Sequence, residues 1–327
     1  MKTVFSGLKP SGDMTIGNYL GAMKHWPKDQ GKHRTIFFIP NLHAITTRQD
    51  PIQLKKRTLD LVAWLLTVGV DPDQSIILVQ SMVPQHAELA WILNNYVTMG
   101  EMSRMTQYKD KAKKAGPEGL LVGFFDYPAL MAADILLYDS NEVPVGEDQI
   151  QHIELTRDIA KRFNTIYGDT FVVPKGVIPD TGARIMSLDN PKIKMSKSDH
   201  PDSSISLTES TDSILKKFKR AVTDSDNKIA YDKANKPAIS NLIEIYSGFT
   251  DASVAEIEKK YADKNYAIFK SDIGEIVAHK LSLLQNDFNN IRSDEASLYS
   301  IIDVGNSKAS QIASEKLKIV KEKTGLL

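Results

Sequence analysis

Three short β-forming runs, separated by helical patterns, constrain this chain more than any other feature. They are residues 3–6, residues 35–40 and residues 75–80. Between the first two, Ile16, Tyr19, Leu20 and Met23 recur at helical spacing. Between the last two, Asp50 and Pro51 read as an N-cap and first helical residue, and the helix runs through Leu54, Leu61 and Leu65 to Gly69. Consecutive strands joined through helices need crossover connections, which favours a parallel sheet with right-handed crossovers. The expected fold is therefore α/β: a Rossmann-like parallel sheet with helices on both faces.

Further along, helical periods occupy residues 84–97 and 99–114, and an apolar-dense helix spans residues 126–138. Residues 143–145 read as a strand entering a glycine turn, followed by a helix over 151–167. Strand character is expected again at 170–174 and 184–188. Beyond Pro201 strands become scarce, and helical periods run through 213–221, 239–246, 254–261 and 273–288, with a last helix to about 324. Two domains follow: residues 1–200, with a helical insertion near 99–125, and an α-helical domain of residues 201–327 whose last helix packs back on the first.

Composition narrows the function. Without cysteine there are no disulfides and no thiolate zinc sites. The 41 basic residues balance 41 acidic ones, which argues against a general nucleic-acid binder, although a specific RNA enzyme needs only a local basic surface. Met1-Lys2-Thr3 leads directly into a strand pattern and no apolar run approaches the ~20 residues of a membrane span. The expected location is the cytoplasm.

The chemistry-bearing stretch is Lys194-Met195-Ser196-Lys197-Ser198, where two ammonium groups and two hydroxyls fall within five residues of a loop. Such a loop wraps a polyphosphate or is simply solvated. Near the N-terminus, Lys9-Pro10-Ser11-Gly12 precedes Thr15-Ile16-Gly17-Asn18 at a helix start, where free N–H groups suit phosphate; an ordinary strand-to-helix turn gives the same pattern. His43 follows a strand end, where α/β sheets place ligands, although such a histidine also serves packing. Asp134 interrupts an apolar helix, and a buried carboxylate needs a partner, either a donor such as an indole N–H or a structural arginine. Glu147 and Asp148 fit as helix caps. Lys216, Lys217, Lys219 and Arg220, with lysines 308, 316, 318, 321 and 323, either contact RNA or coat helix surfaces.

Together the two signatures resemble the H-I-G-H and K-M-S-K-S pair of the class I aminoacyl-tRNA synthetases, the first written here Thr15-Ile16-Gly17-Asn18. Pro128-Ala129-Leu130-Met131-Ala132-Ala133-Asp134-Ile135-Leu136-Leu137-Tyr138 is similar to a motif of the bacterial tryptophanyl-tRNA synthetases. The resemblance implies activation of L-tryptophan by ATP, release of pyrophosphate, and transfer to tRNA(Trp). It implies that Lys194, Ser196, Lys197 and Ser198 hold the leaving phosphates, with Lys111, Thr15 and Asn18. Lys9, Pro10, Ser11, Gly17, Gly146, Glu147, Asp148, Ile185 and Met195 would surround the nucleotide. Asp134 would read the indole, Gln149 the amino acid's polar end, and Phe5, His43, Tyr127, Met131 and Val143 would shape the pocket. Mg²⁺ would ride on the ATP phosphates rather than on protein side chains; the assembly would be a homodimer, and the second domain would recognise the anticodon. Two positions depart from the pattern: Lys9 stands where many relatives have glutamine, and Asn41 where they often have aspartate. Rival readings are the sister enzyme charging tyrosine and a non-catalytic paralogue that binds nucleotide or RNA.

Overall fold

A computed structural model describes residues 1–113, 119–178, 184–196 and 201–327. Five parallel strands form one sheet: β1 (Thr3–Gly7), β2 (Arg34–Ile39), β3 (Ser75–Val79), β4 (Glu142–Pro144) and β5 (Lys175–Val177), in the order β3-β2-β1-β4-β5. Alternation along the strands sends Phe37, Ile39, Ile77 and Val79 into one core and Phe5, Ile36 and Leu78 into the other. The first core continues into the C-terminal helices through Phe218, Ile243, Tyr261 and Phe269. The second is closed by the helices Val122–Leu136 and Ile150–Tyr167. After β1 the chain winds outward through β2 and β3, then returns to the other side of β1 for β4. Such a reversal opens a crevice at the C-terminal ends of β1 and β4.

Two expected strands are displaced. Residues 170–174 form none, because Asn164 Oδ1 accepts the backbone N–H groups of Thr170 and Phe171, at 3.1 and 2.9 Å, and Pro174 has no N–H to give; β5 begins one residue later. Residues 184–188 lie outside the sheet. Met186 makes one antiparallel bridge to Lys194, and its N–H and C=O are taken by the Asn241 side chain at 2.8 and 3.0 Å. The segment carrying the lysine loop is thus pinned to the helix Pro237–Thr250 instead of leaving a sheet strand.

The helix Glu295–Thr324 lies along the edge strand β3. A methyl group on Gly305 would come within 1.7 Å of Ile77 O, so only glycine permits this approach. Asn306 Oδ1 then accepts the Val79 N–H at 2.9 Å, satisfying an edge donor that would otherwise invite another strand. Several lysines open to an RNA reading serve this packing. Lys316 bonds Thr170 O and Asp139, Lys321 pairs with Glu88, and Lys323 bonds Gly168 O and Asp169 O. Lys217 pairs with Glu209 in the same structural way. Among the described residues no helix is long and apolar enough to cross a membrane.

Candidate active site

The crevice wall at β1 is a tight turn, closed by the Ser11 N–H donating to Lys9 O at 2.9 Å, that runs into the helix Ile16–Gly21. Thr15 caps this helix: Asn18 N donates to Thr15 Oγ1, and Asn18 Oδ1 accepts from Thr15 N at 3.0 Å. Asn18 Oδ1 is thereby occupied, while its amide nitrogen has no protein partner among the described residues. Ile16 N bonds Ile205 O at 3.0 Å and Leu207 N bonds Met14 O at 2.7 Å, stitching the turn to the start of the helical region.

Gly17 faces the other signature. A methyl group on it would stand 3.6 Å from Met195 Cβ and 3.7 Å from Ile185 Cβ, so the two motifs touch. Met195 and Ile185 are buried in the same core as Ile16. Lys194 is exposed, with Nζ 3.9 Å from Asp148 Oδ1 and 4.0 Å from the methyl position of Gly146. Glu147 accepts from Arg184 at 3.0 Å. Neither acid caps the helix that follows, contrary to the capping reading; both tie the β4 turn to the lysine-loop segment. Lys197 and Ser198 lie outside the described residues.

Across the crevice stand Lys9 and Lys111. Burial, and then the charge of Lys111, lower the Lys9 pKa. Among the described residues no carboxylate pairs with either lysine, and Lys111 Nζ lies 6.0 Å from the Phe124 ring centre. Pro10 is buried beside them and Ser11 is exposed. Two unneutralised cations near the C-terminal end of β1 favour an anion between them.

The second half of the site is a buried polar cluster around Asp134. The carboxylate is fully buried; Oδ1 accepts from Gln80 Nε2 at 2.7 Å and His86 Nδ1 at 2.6 Å, and Oδ2 from His43 Nε2 at 2.7 Å. The partners are thus two histidines and an amide, not an arginine. Burial pushes the Asp134 pKa up, but attraction and hydrogen bonds from His43 and His86 outweigh it and hold the group at about 2. An ionised acceptor requires a proton on His43 Nε2 and on His86 Nδ1, and the other ring nitrogen of His86, Nε2, pairs with the Tyr138 hydroxyl at 2.8 Å.

Around this cluster, Phe5 stacks on Phe38 and Tyr138, Val143 is buried, and Met131 packs half-buried against the same core. Tyr127 sets its ring 6.1 Å from His43, and its hydroxyl meets Gln107 and His152. Burial lowers the His152 pKa to about 4, so the ring is neutral at pH 7. Gln149, half-buried at the turn before the helix Ile150–Tyr167, donates to Asp148 Oδ2 at 2.8 Å. Asn41 braces the ends of β2 and β3 through both hydrogen bonds to Ser81.

Gln80, His86, Tyr138 and His152 were not expected from the sequence. His86 shares a helical face with Leu89 and Leu93, and a lone polar residue on a buried stripe was the available signal. Gln80 directly follows β3 and is wholly buried, and a polar residue closing the apolar run at residues 76–79 was an equal signal.

A parallel sheet whose strand order turns back at β1, with a glycine turn and a lysine-bearing segment in contact beside that point, is a domain of the open α/β class with its ligand crevice at the reversal. Residues 1–282 match the family described as tRNA synthetases class I (W and Y), and the chain belongs to that family. It is 49% identical to a tryptophan–tRNA ligase of Caldanaerobacter subterraneus subsp. tengcongensis, across 100% of this chain and 99% of that one. Among solved structures, tryptophanyl-tRNA synthetase of Mycoplasma pneumoniae superposes with a TM-score of 0.92 at 32% identity, covering 99% of this chain and 98% of that one. The Campylobacter jejuni enzyme, solved with ADP and tryptophan, gives 0.83 at 38% identity and covers 99% of both chains.

Proposed function

We infer that this chain is a tryptophan–tRNA ligase: it joins L-tryptophan to ATP as tryptophanyl-adenylate and then charges tRNA(Trp). The observation that carries this reading is its full-length likeness to a relative solved with ADP and tryptophan. A tryptophan carboxylate oxygen attacks the α-phosphorus of ATP, the bond to the β-phosphate oxygen breaks, and pyrophosphate leaves. The terminal ribose hydroxyl of the tRNA then attacks the adenylate carbonyl and AMP departs. Both steps need alignment and charge stabilisation more than covalent help.

In this reading the nucleotide lies between the Gly17 turn and the lysine loop, with adenine against Gly17, Ile185 and Met195. Lys194, Ser196, Lys197 and Ser198 neutralise the leaving phosphates, and Lys111, Thr15 and Asn18 grip them from the other side. Lys9, with Pro10 and Ser11, faces the α-phosphate. Gly146, Glu147 and Asp148 meet the ribose; Gln149 meets the amino acid's polar end. Asp134 accepts the indole N–H within walls formed by Phe5, His43, Tyr127, Met131 and Val143. Mg²⁺ enters on the phosphates as part of the substrate. Residues 1–200 form the catalytic domain and residues 201–327 the anticodon-recognising one. The working form is a cytoplasmic homodimer. Exposed Trp91 and Met99 agree with a covered surface near the helical insertion.

The test is charging of tRNA(Trp) with labelled tryptophan and, separately, labelled tyrosine. Tryptophan alone should be esterified; tyrosine charging would support the sister enzyme, and no charging the non-catalytic paralogue.

A further inference from the structure

Asp134 has four acceptor directions and three of them are filled. The three donors differ in how firmly they are held. Gln80 is wholly buried and bonded at both ends of its amide, since Oε1 also accepts the Leu42 N–H at 3.0 Å. His86 is wholly buried and bonded through both ring nitrogens. His43 is different. Its side chain keeps 12% of its surface exposed while that of Asp134 keeps none, its Nδ1 has no protein partner among the described residues, and it sits on the four-residue helix Asn41–Ala44.

We propose that His43 is a displaceable stand-in for the indole N–H. It occupies Asp134 Oδ2 in the ligand-free enzyme and swings off when tryptophan supplies the same donor. The proposal rests on the reading of Asp134 as the indole acceptor and adds a device to it. A buried carboxylate oxygen with no donor is costly, so the empty pocket needs a placeholder. The placeholder must also be the least anchored of the donors, and that is His43. Exchanging one donor for another keeps the ionised oxygen satisfied in both states. The consequence is that His43 sets how strongly the pocket discriminates against ligands lacking a ring N–H, because it can return to Oδ2 beneath such a ligand.

The test compares equilibrium binding, by calorimetry on the full chain, of tryptophan and of its benzothiophene isostere, in which sulfur replaces the ring N–H. The ratio of the two dissociation constants is the readout. His43→Phe removes the donor and should widen that ratio about tenfold or more, since Oδ2 then stays unpaired under the isostere. His43→Leu serves the same purpose should phenylalanine disturb packing. His43→Gln restores a donor and should bring the ratio back to within about threefold of the original. An unchanged ratio in the donor-free variants overturns the proposal, as does loss of binding of both ligands by a folded variant, which would make His43 a required contact. Asp134→Asn separates the two layers. If it leaves the original ratio intact, the assignment of the indole to Asp134 fails whatever His43 does.

Discussion

Gly17 packs directly against Met195, so the turn after β1 and the lysine-bearing segment form one surface. The space beside Gly17 is modest but open, since a methyl group there would meet Thr15 Oγ1 at 3.4 Å and Met195 Cβ at 3.6 Å. Gly17→Ala is expected to fold at least as stably as the original, because alanine gains up to about 1 kcal/mol over glycine in a helix. If adenine lies against this position, the KM for ATP should rise about tenfold or more, the result of losing about 1.4 kcal/mol of contact. Thermal unfolding and ATP-dependent adenylate formation measure the two effects; an unaltered ATP KM would remove the nucleotide from this wall.

Gly305 carries the attachment of the last helix. A side chain there would strike Ile77 O at 1.7 Å, a backbone atom that cannot rotate away. Gly305→Ala should cost about 3 kcal/mol, the upper end of ordinary overpacking, read as a lower urea midpoint. Unchanged stability would mean that the helix is free to lift from β3.

Asp134→Asn keeps the shape of the buried cluster and changes its chemistry. Asparagine offers one acceptor and two donors where Gln80, His43 and His86 all present donors. The variant should be less stable by about 2–3 kcal/mol through buried donors left unpaired, in addition to its weaker selection of tryptophan. Full stability in urea would show that the histidines switch tautomer at no cost.

Acid should loosen the fold in a defined window. Arg162, with lesser help from Thr98, outweighs burial and holds the Glu101 pKa at about 2 instead of an ordinary 4.5, and Asp134 is likewise depressed to about 2 from 3.8. Both groups titrate lower folded than unfolded, so their stabilisation is complete above their ordinary values and is lost as pH falls through the folded ones. Urea midpoints should therefore drop between pH 4.5 and 2. Glu101→Gln should flatten that decline; an equal slope in the variant would assign it elsewhere.

Lys197, outside the described residues, is expected to act on the leaving pyrophosphate and not on the amino acid. Lys197→Ala should lower the rate of adenylate formation at least about a hundredfold, the scale of one preorganised donor, with little change in tryptophan affinity. An unchanged turnover number would end that role.

The central sheet was legible because β2 and β3 carry the apolar runs at residues 36–39 and 76–79, β1 is a short β-forming stretch, and capped helices lie between them, a pattern that local physics enforces. The marginal strands were not. Residues 170–174 look equally apolar, but the Asn164 side chain takes their donors, and Asn241 does the same for Met186. Asn241 reaches Met186 from a distant helix and Asn164 reaches Thr170 and Phe171 around the end of its own helix, and neither asparagine is marked for that role by its neighbours in sequence. The site divides the same way. Its charged loop and glycine turn announce themselves by composition, whereas Gln80 and His86 matter only because folding brings them to Asp134. The lysines of the last helix show the converse limit: charge alone did not tell RNA-facing groups from those spent on Thr170 O, Asp139 and Glu88.

Exchange of labelled pyrophosphate into ATP tests the first half-reaction without needing tRNA. The expected result is exchange that requires tryptophan and is not supported by equal concentrations of tyrosine. Exchange supported by tyrosine instead, or no exchange with either amino acid, would contradict the assignment of this site to tryptophan activation.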